Sequence, residues 1–244
     1  HVTPPPVPPP SPPHPSAVSR HTTLQVIPIS SDRGLCGGVN TAVSRGTRNY
    51  TAELEAAGTE FQMFMVGDKS RSQLQRTHGK NFVGDVIDYT KFGFNFTIAS
   101  MCAARALAMP TVDTMTLVHN KFVSMIAYDT TTVTIPKMSA EAAVDGEGGE
   151  ESALAAYNFE PEAQDEVLEN LQQFALAGAL YSASVQASAA EMSQRMSAMD
   201  NATTNAGDMI EKFTLQYNRA RQARITTELT EIVAGAESLN VAES

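Results

Sequence analysis

Short apolar runs alternate with amphipathic stretches along residues 20–136. Three apolar runs predict buried strands: Leu24–Ile29, Phe61–Val66 and Phe82–Ile87. The stretches between and after them predict helices over residues 38–57, 70–78 and 96–109. The remaining segments are rich in β-branched residues and predict an antiparallel meander over residues 114–119, 121–129 and 131–135. Strands that alternate with helices predict an α/β fold, here a small Rossmann-like sheet domain.

The pattern changes on both sides of this domain. Residues 1–19 are so rich in proline that neither a helix nor a central strand can form, which predicts a Pro-rich leader without regular structure. Residues 137–160 have an acidic, Gly-rich middle and predict a loop. Residues 161–242 contain no proline after Pro161 and predict a C-terminal helix of roughly 120 Å. Gly178 weakens that helix by about 1 kcal/mol relative to Ala, which allows a break there.

A narrow apolar seam runs along the predicted C-terminal helix. Alternating steps of four and three residues from Val185 reach positions that are nearly all apolar or small: Val185, Ala189, Met192, Met196, Met199, Thr203, Ala206, Ile210, Phe213, Tyr217 and Ala220. This 3.5-residue period, sustained for five heptads, is typical of a coiled coil, here expected to be antiparallel. No helix predicted within residues 20–135 is long enough to cover the seam. We expect its partner to be another chain, a second copy, or a segment outside this sequence.

Composition and charge exclude several classes of protein. The 244 residues are 42% hydrophobic and carry a formal net charge of −10, which disfavours nucleic acid as a partner. The sequence contains no run of about 18 apolar residues, so it predicts no transmembrane helix. Cys36 and Cys102 lie far apart in sequence, so a disulfide scaffold is not expected. Arg219, Arg221 and Arg224 form a basic cluster on an acidic chain and point to contact with acidic groups of a partner.

Residues 31–40 are the segment most similar to a ligand-binding motif. They follow a strand, precede a helix and are rich in glycine, a context in which a turn can cradle phosphate. The segment matches neither the dinucleotide-binding fingerprint nor a P-loop, so the signal is weak. None of the five histidines has metal-ligand spacing to another His or Cys. We expect no catalytic residue, no metal and no cofactor, and keep a nucleotide-binding α/β protein and a homodimeric coiled-coil adaptor as alternatives.

Two segments resemble a known family. SSDRGLCGGVN (30–40) is similar to the signature that follows the first strand in γ subunits of F-type ATP synthases. The segment EMSQRMSAMDNATTNAGDMIEKFTLQYNRARQARITTELTEIVAGAESL (191–239) resembles the C-terminal signature of the same subunits almost throughout. The resemblance extends over roughly residues 22–240, and the sequence of its C-terminal segment favours a mitochondrial form. Asp32, Arg33, Gly34, Cys36 and Gly37 are the signature-turn residues that it implies.

The resemblance implies a central-stalk rotor subunit. It implies that the sheet domain forms a foot near the membrane c-ring and the small central-stalk subunits, while the long helix rises through the ring of α and β subunits. The residues implied to contact that ring are Arg219, Arg221, Gln222, Arg224, Thr226 and Glu228. The implied location is peripheral, on the matrix side of the mitochondrial inner membrane, or alternatively the cytoplasmic side of a bacterial plasma membrane. Members of the family begin with a long helix that coils around the C-terminal one, whereas this sequence begins with the Pro-rich residues 1–19, and we expect that helix to be lacking.

Overall fold

The computed structural model describes residues 23–89, 93–108, 112–136 and 164–242, without the side chains of residues 113, 164, 165 and 237–242. The predicted Pro-rich leader (1–19) and acidic loop (137–160) lie outside the described residues. The chain divides into two compact units, residues 1–196 and residues 197–244. The elements in chain order are β1 (Thr23–Pro28), α1 (Val39–Ala57), β2 (Phe61–Val66), α2 (Asp68–His78), a 3₁₀ turn (Gly79–Asn81), β3 (Phe82–Val86), α3 (Phe96–Leu107), β4 (Val112–Phe122), β5 (Tyr128–Pro136) and α4 (Gln164–Ala242).

The five strands form one mixed sheet in the order β3-β2-β1-β4-β5. The first four are parallel to one another, and β5 pairs antiparallel with β4. The crossovers between parallel strands are made by helices, as such connections require. The predicted α/β class with a long C-terminal helix is confirmed.

Alternating side chains on the central strands separate two apolar layers. Leu24 and Val26 of β1 face α1 and α2, together with Met63 and Met65 of β2. The neighbouring positions on the same strands face the opposite layer: Ile27, Ile29, Phe64 and Val66. That second layer is completed by α3 and by the first part of α4. A strand with both faces covered has apolar residues at consecutive positions, which is why β1 and β2 are largely apolar, each with one glutamine, Gln25 and Gln62.

The meander predicted after α3 is a hairpin of two strands. The expected strand over residues 121–129 is wrong, because β4 runs through to Phe122 and β5 begins at Tyr128. Nothing between His119 and Lys121 interrupts the strand, and the chain reverses instead at residues 123–127. Ser124 and Ala127 exchange backbone hydrogen bonds of 3.0 and 3.3 Å, which close this turn.

Helix α4 continues through Gly178 without the break that the glycine allows. Leu176, Ala177 and Leu180 beside it are buried against the sheet. Burying a leucine side chain stabilises by roughly 1.5–3 kcal/mol, which exceeds the intrinsic cost of about 1 kcal/mol for the glycine. None of the described helices is both long and apolar enough to cross a membrane.

Candidate functional site

The signature turn connects β1 to α1 and is organised by one buried side chain, Asn40. The Asn40 Oδ1 atom accepts from the Ser31 backbone N–H and from the Ser31 hydroxyl, both at 3.0 Å. Its amide nitrogen donates to the Cys36 sulfur at 3.2 Å and to the Arg33 carbonyl oxygen at 3.3 Å. Two residues of the turn, Leu35 and Gly37, have φ of 61°. The left-handed conformation suits Gly37, whereas Leu35 adopts it at some cost, and these hydrogen bonds hold the turn in that shape.

The beginning of the turn packs closely against the N-terminus of α2. The Asp32 carboxylate accepts from the backbone N–H of Asp68 at 3.1 Å, at the first residue of α2. This carboxylate occupies the N-terminus of α2, whereas the turn itself leads into α1. Close packing also leaves little room there, since a Cβ added to Gly67 would lie 2.1 Å from the Ser30 carbonyl oxygen. Among the described residues, no group of three or more His, Cys, Asp or Glu side chains could hold a metal ion.

One turn of α4 joins the signature turn to the β4–β5 turn, and we call its four residues the clasp: Glu191, Ser193, Gln194 and Arg195. Arg195 donates to the Gly34 carbonyl oxygen at 3.4 Å and forms an ion pair with Glu191 one helical turn earlier. Ser193 donates to the Met125 carbonyl oxygen, and Gln194 donates to that of Ile126 at 3.2 Å. These residues lie within the resemblance to the C-terminal signature, but the sequence did not reveal that they bind both loops. A run of polar residues interrupting an apolar helix face was the available signal.

The clasp contains a buried charge. Glu191 is 4% exposed, so its carboxylate depends on the Arg195 guanidinium for compensation. The Tyr89 hydroxyl donates to the Ser30 carbonyl oxygen at 2.6 Å. Burial raises the pKa of Tyr89 far above its usual value, and the negative charges of Asp32 and Glu191 raise it further. Tyr89 therefore stays protonated and acts as a hydrogen-bond donor that ties β1 to the segment after β3.

The first unit exposes the beginning of the predicted seam. Val185, Ala189, Met192 and Met196 are all exposed, while Ala187 and Ala190 are buried, Ala187 as part of the core that packs on the sheet. A hollow of about 320 Å³ lies between the seam and the β4–β5 hairpin, lined by Phe122, Met125, Ala189, Met192, Ser193 and Met196.

The predicted seam is part of a longer line of exposed apolar residues, which we call the stripe and which begins earlier in α4 than Val185. Alternating steps taken backwards from Val185, beginning with a step of four, pass through Gly178 and reach four further exposed residues: Tyr181, Phe174, Leu171 and Val167. Phe174 and Tyr181 both contact the ring of Phe96, with ring centroids 5.8 and 6.1 Å apart. The periodic signal was present in the sequence and was missed because the count began at Val185.

The second unit holds the other part of the seam and the predicted partner contacts. Met199, Ala206, Ile210, Phe213 and Tyr217 are exposed on the helix. All six predicted contact residues are exposed as well: Arg219, Arg221, Gln222, Arg224, Thr226 and Glu228. Arg224 and Glu228 form an ion pair of 2.8 Å, and the Thr226 hydroxyl donates to the Gln222 carbonyl oxygen at 2.9 Å. The structure places these six residues within three turns of one helix.

Comparison with known proteins gives concordant results. The family model described as ATP synthase matches residues 10–239. The ATP synthase gamma chain of Paramagnetospirillum magneticum is 39% identical over 218 residues, covering 88% of this chain and 73% of the relative. The mitochondrial ATP synthase F(1) complex subunit gamma of Rattus norvegicus is 37% identical over 216 residues, covering 88% and 76%.

Solved structures show the same fold. A chain in the cryo-EM structure of the Tetrahymena thermophila mitochondrial ATP synthase central stalk and c-ring matches with a TM-score of 0.60 and 25% identity, over 75% of this chain and 77% of that one. A chain of the Euglena gracilis mitochondrial ATP synthase matches with a TM-score of 0.74 and 20% identity, over 92% and 75%. The signature turn, the clasp and the long seam-bearing helix thus occur in a chain that belongs to the γ-subunit family of F-type ATP synthases, the subunits of the central stalk.

Proposed function

We propose that this chain works as the rotor of a central stalk, coupling proton-driven rotation to conformational cycling of a catalytic ring of α and β subunits. The observation that supports this most is the apolar stripe along α4, which is exposed in both units. Residues such as Met196, Ile210 and Phe213 are more than half exposed, although burial of each would stabilise by roughly 1.5–3 kcal/mol. A stripe of this kind needs a partner helix, and in a coiled shaft a second helix supplies it.

The proposed contacts with the ring are the polar residues of the second unit. Arg219, Arg221 and Arg224 would meet acidic loops of the α and β subunits, and Gln222, Thr226 and Glu228 would contribute hydrogen bonds. An exposed ion pair such as Arg224–Glu228 contributes less than about 1 kcal/mol, so it can exchange for contacts with a partner. A rotor needs such exchangeable contacts, because it acts by binding the alternative conformations of its neighbours with different affinity.

The proposed role requires no bond chemistry from this subunit. We infer that it supplies no catalytic residue, cofactor or metal ligand to the complex, and that the reaction takes place in the ring. Asn40 and Asp32 hydrogen-bond to the protein's own backbone, which supports a structural role for the signature turn. The turn and the clasp would then be mechanical elements that hold the foot to the shaft.

We further propose a location and a set of neighbours. Residues 20–136 would form the foot beside a membrane c-ring and the small central-stalk subunits, and residues 161–242 would form the shaft. The relatives include mitochondrial subunits of plants and rat, which supports a peripheral position at the mitochondrial inner membrane on the matrix side. Because other relatives are bacterial, the alternative location is the cytoplasmic side of a plasma membrane.

Introducing negative charge into the stripe tests the rotor proposal. A subunit carrying Met196→Asp, Met199→Asp and Ile210→Asp would be expressed in cells that lack their own γ subunit. We expect loss of assembly and of ATP synthesis, because three carboxylates cannot be buried in a helix pair. The matched control adds the same charge off the stripe, with Asn201→Asp, Asn205→Asp and Gln216→Asp, and keeps synthesis. Full synthesis by the stripe variant would contradict the proposal.

Two measurements on the isolated chain address the alternatives. A homodimeric adaptor predicts dimers in sedimentation, so monomers over a wide concentration range exclude it. A nucleotide-binding protein predicts a saturable titration that is abolished by changes at Gly37 and Gly38. A flat titration excludes that alternative.

A further inference from the structure

Three methionine side chains line the hollow between the seam and the β4–β5 hairpin. Met192 and Met196 are one helical turn apart on α4, a spacing that places both side chains on the same face of the helix. Met125 reaches the hollow from the turn of the hairpin. Each of the three is more than half exposed, so a ligand can reach them from solvent.

The clasp fixes the hairpin turn beside this part of α4. The Ser193 hydroxyl donates to the Met125 carbonyl oxygen, and Ser193 lies between the other two methionines in the sequence of the helix. The backbone of Met125 is therefore held next to the turn of α4 that carries Met192 and Met196. A methionine side chain is unbranched and has three rotatable bonds. The three sulfur atoms can turn toward one centre while the backbone stays in place.

The composition of the hollow favours a soft metal ion over a hard one. The described residues that line it besides the methionines are Phe122, Ala189 and Ser193, which bring no carboxylate and no imidazole. Calcium and magnesium require oxygen ligands, and zinc is bound by thiolate, imidazole or carboxylate groups. A thioether sulfur is a soft, neutral ligand that selects copper(I).

One charged side chain contacts the methionines. The Nη1 atom of Arg195 lies 3.5 Å from the Met192 sulfur, and a thioether is only a weak acceptor. The same guanidinium forms an ion pair with the buried Glu191, which compensates its charge. The Met192 sulfur can therefore exchange this weak contact for a metal ion, while Arg195 keeps its ion pair.

We propose that Met125, Met192 and Met196 form a binding site for a soft monovalent metal ion, copper(I), held by three thioether sulfur atoms. The ion binds and leaves in the same oxidation state, so no electron is transferred. This inference goes beyond the proposed rotor function, which uses Met192 and Met196 only as seam residues. A helix paired with the seam covers the same side chains, so the ion and a partner helix compete for them.

Methyl NMR of the full chain tests the proposal, with silver(I) nitrate as the probe. Silver(I) is soft and monovalent, and it undergoes no redox change in air. At one equivalent of silver(I), the methyl signals of Met125, Met192 and Met196 should shift together, whereas those of the exposed Met101 and Met209 should not move. Equal shifts of all exposed methionines, or no shift of the three at millimolar silver(I), would overturn the site.

Zinc(II) chloride, added in place of silver, tests the assigned class of ion. It should leave the methionine signals unshifted, because a thioether is not among the ligands that zinc prefers. Shifts of the same three signals by zinc would overturn the assignment to a soft monovalent ion.

Leucine variants measure the contribution of the thioethers. Met192→Leu with Met196→Leu keeps side-chain volume and helix propensity, so the fold is retained. The affinity for silver(I) in a calorimetric titration should fall about tenfold or more, because two of three ligands are lost. The control Met101→Leu with Met209→Leu removes two exposed methionines outside the hollow and should leave the affinity unchanged. Unchanged affinity in the first variant would contradict the site and assign the silver to the two buried cysteines.

Discussion

At the scale of the residue, the signature turn depends on side chains that form hydrogen bonds with its backbone groups. Asn40 is buried and contacts three residues of the turn, so it serves as the internal support of an irregular loop. The sequence identified the turn, and its glycines indicated a tight strand-to-helix connection. It did not identify Asn40 as the organising side chain, because an asparagine at the start of a helix usually fits a solvent-exposed cap.

Replacing Asn40 should destabilise the first unit. In Asn40→Ala the Ser31 N–H loses its acceptor and stays buried, which costs about 1–3 kcal/mol in the free energy of unfolding. Urea denaturation of the full chain, followed through the sheet, measures the change. The control Asn49→Ala lies exposed on the same helix and should change stability by less than about 0.5 kcal/mol. Equal effects of the two changes would contradict the role given to Asn40.

His119 should make the stability of the first unit depend on pH. Burial and the Lys121 charge lower its pKa in the folded state, so the unfolded chain binds the proton more readily. Stability is therefore complete above the unfolded pKa of 6.5 and is lost as the pH falls through the lower folded value. Urea denaturation at pH 7.5 and pH 5 measures this effect. The urea midpoint should fall more between pH 7.5 and pH 5 for the native chain than for His119→Gln. Parallel curves would show that His119 does not titrate in this way.

At the scale of the element, α4 carries two apolar faces with different partners. One face packs on the sheet through Leu176, Leu180, Ala183 and Ala187, and the other is the exposed stripe. The sequence analysis found the stripe because its period of 3.5 persists over many turns. It missed the face that packs on the sheet, because the two apolar patterns overlap in residues 167–190 and obscure each other. Only the position of the sheet shows which apolar residues the chain itself buries.

The two faces predict opposite outcomes for neighbouring substitutions. Leu176→Ala removes a fully buried side chain and should cost about 2–5 kcal/mol in the free energy of unfolding. Phe174→Ala removes a larger side chain that is 65% exposed, and should cost less than about 1.5 kcal/mol, mainly through its ring contact with Phe96. Chemical denaturation of the isolated chain compares the two. A larger cost for Phe174→Ala would contradict the assignment of the faces.

At the scale of the whole molecule, the basic cluster of α4 has a charge opposite in sign to the net charge of the chain. The formal net charge is −10, yet Arg219, Arg221 and Arg224 are exposed within two turns of the second unit. Such a cluster has little effect on folding, because exposed charges interact weakly in water. Its proposed effect is on association, where complementary charge orients partners and excludes wrong ones.

Neutralising the cluster should therefore impair coupling more than stability. In an assembled synthase, Arg221→Gln with Arg224→Gln should lower ATP synthesis roughly two- to thirtyfold, the effect of losing two pairs of about 0.2–1 kcal/mol. The melting temperature of the isolated chain should stay the same. The control Arg76→Gln with Lys80→Gln removes equal charge from exposed positions in the first unit and should leave synthesis unaffected. If both double variants lost ATP synthesis equally, the effect would come from net charge and not from the position of the arginines.

The sequence by itself determined the α/β class, the long helix, the stripe and the family. Each of these depends on local periodicity or on contiguous residues: consecutive apolar positions in β1 and β2, the 3.5-residue repeat of α4, and the two signature segments. Such patterns are readable because strand and helix geometry impose them on every copy of the element.

The tertiary structure alone decided the hairpin in place of a meander, the continuity of α4 at Gly178 and the clasp. Each of these arises between segments that are far apart in the chain, such as Arg195 and Gly34 or Gln194 and Ile126. The free energy of these contacts comes from burial and from pairing across the fold. Neither quantity is defined until the sheet has brought the segments together.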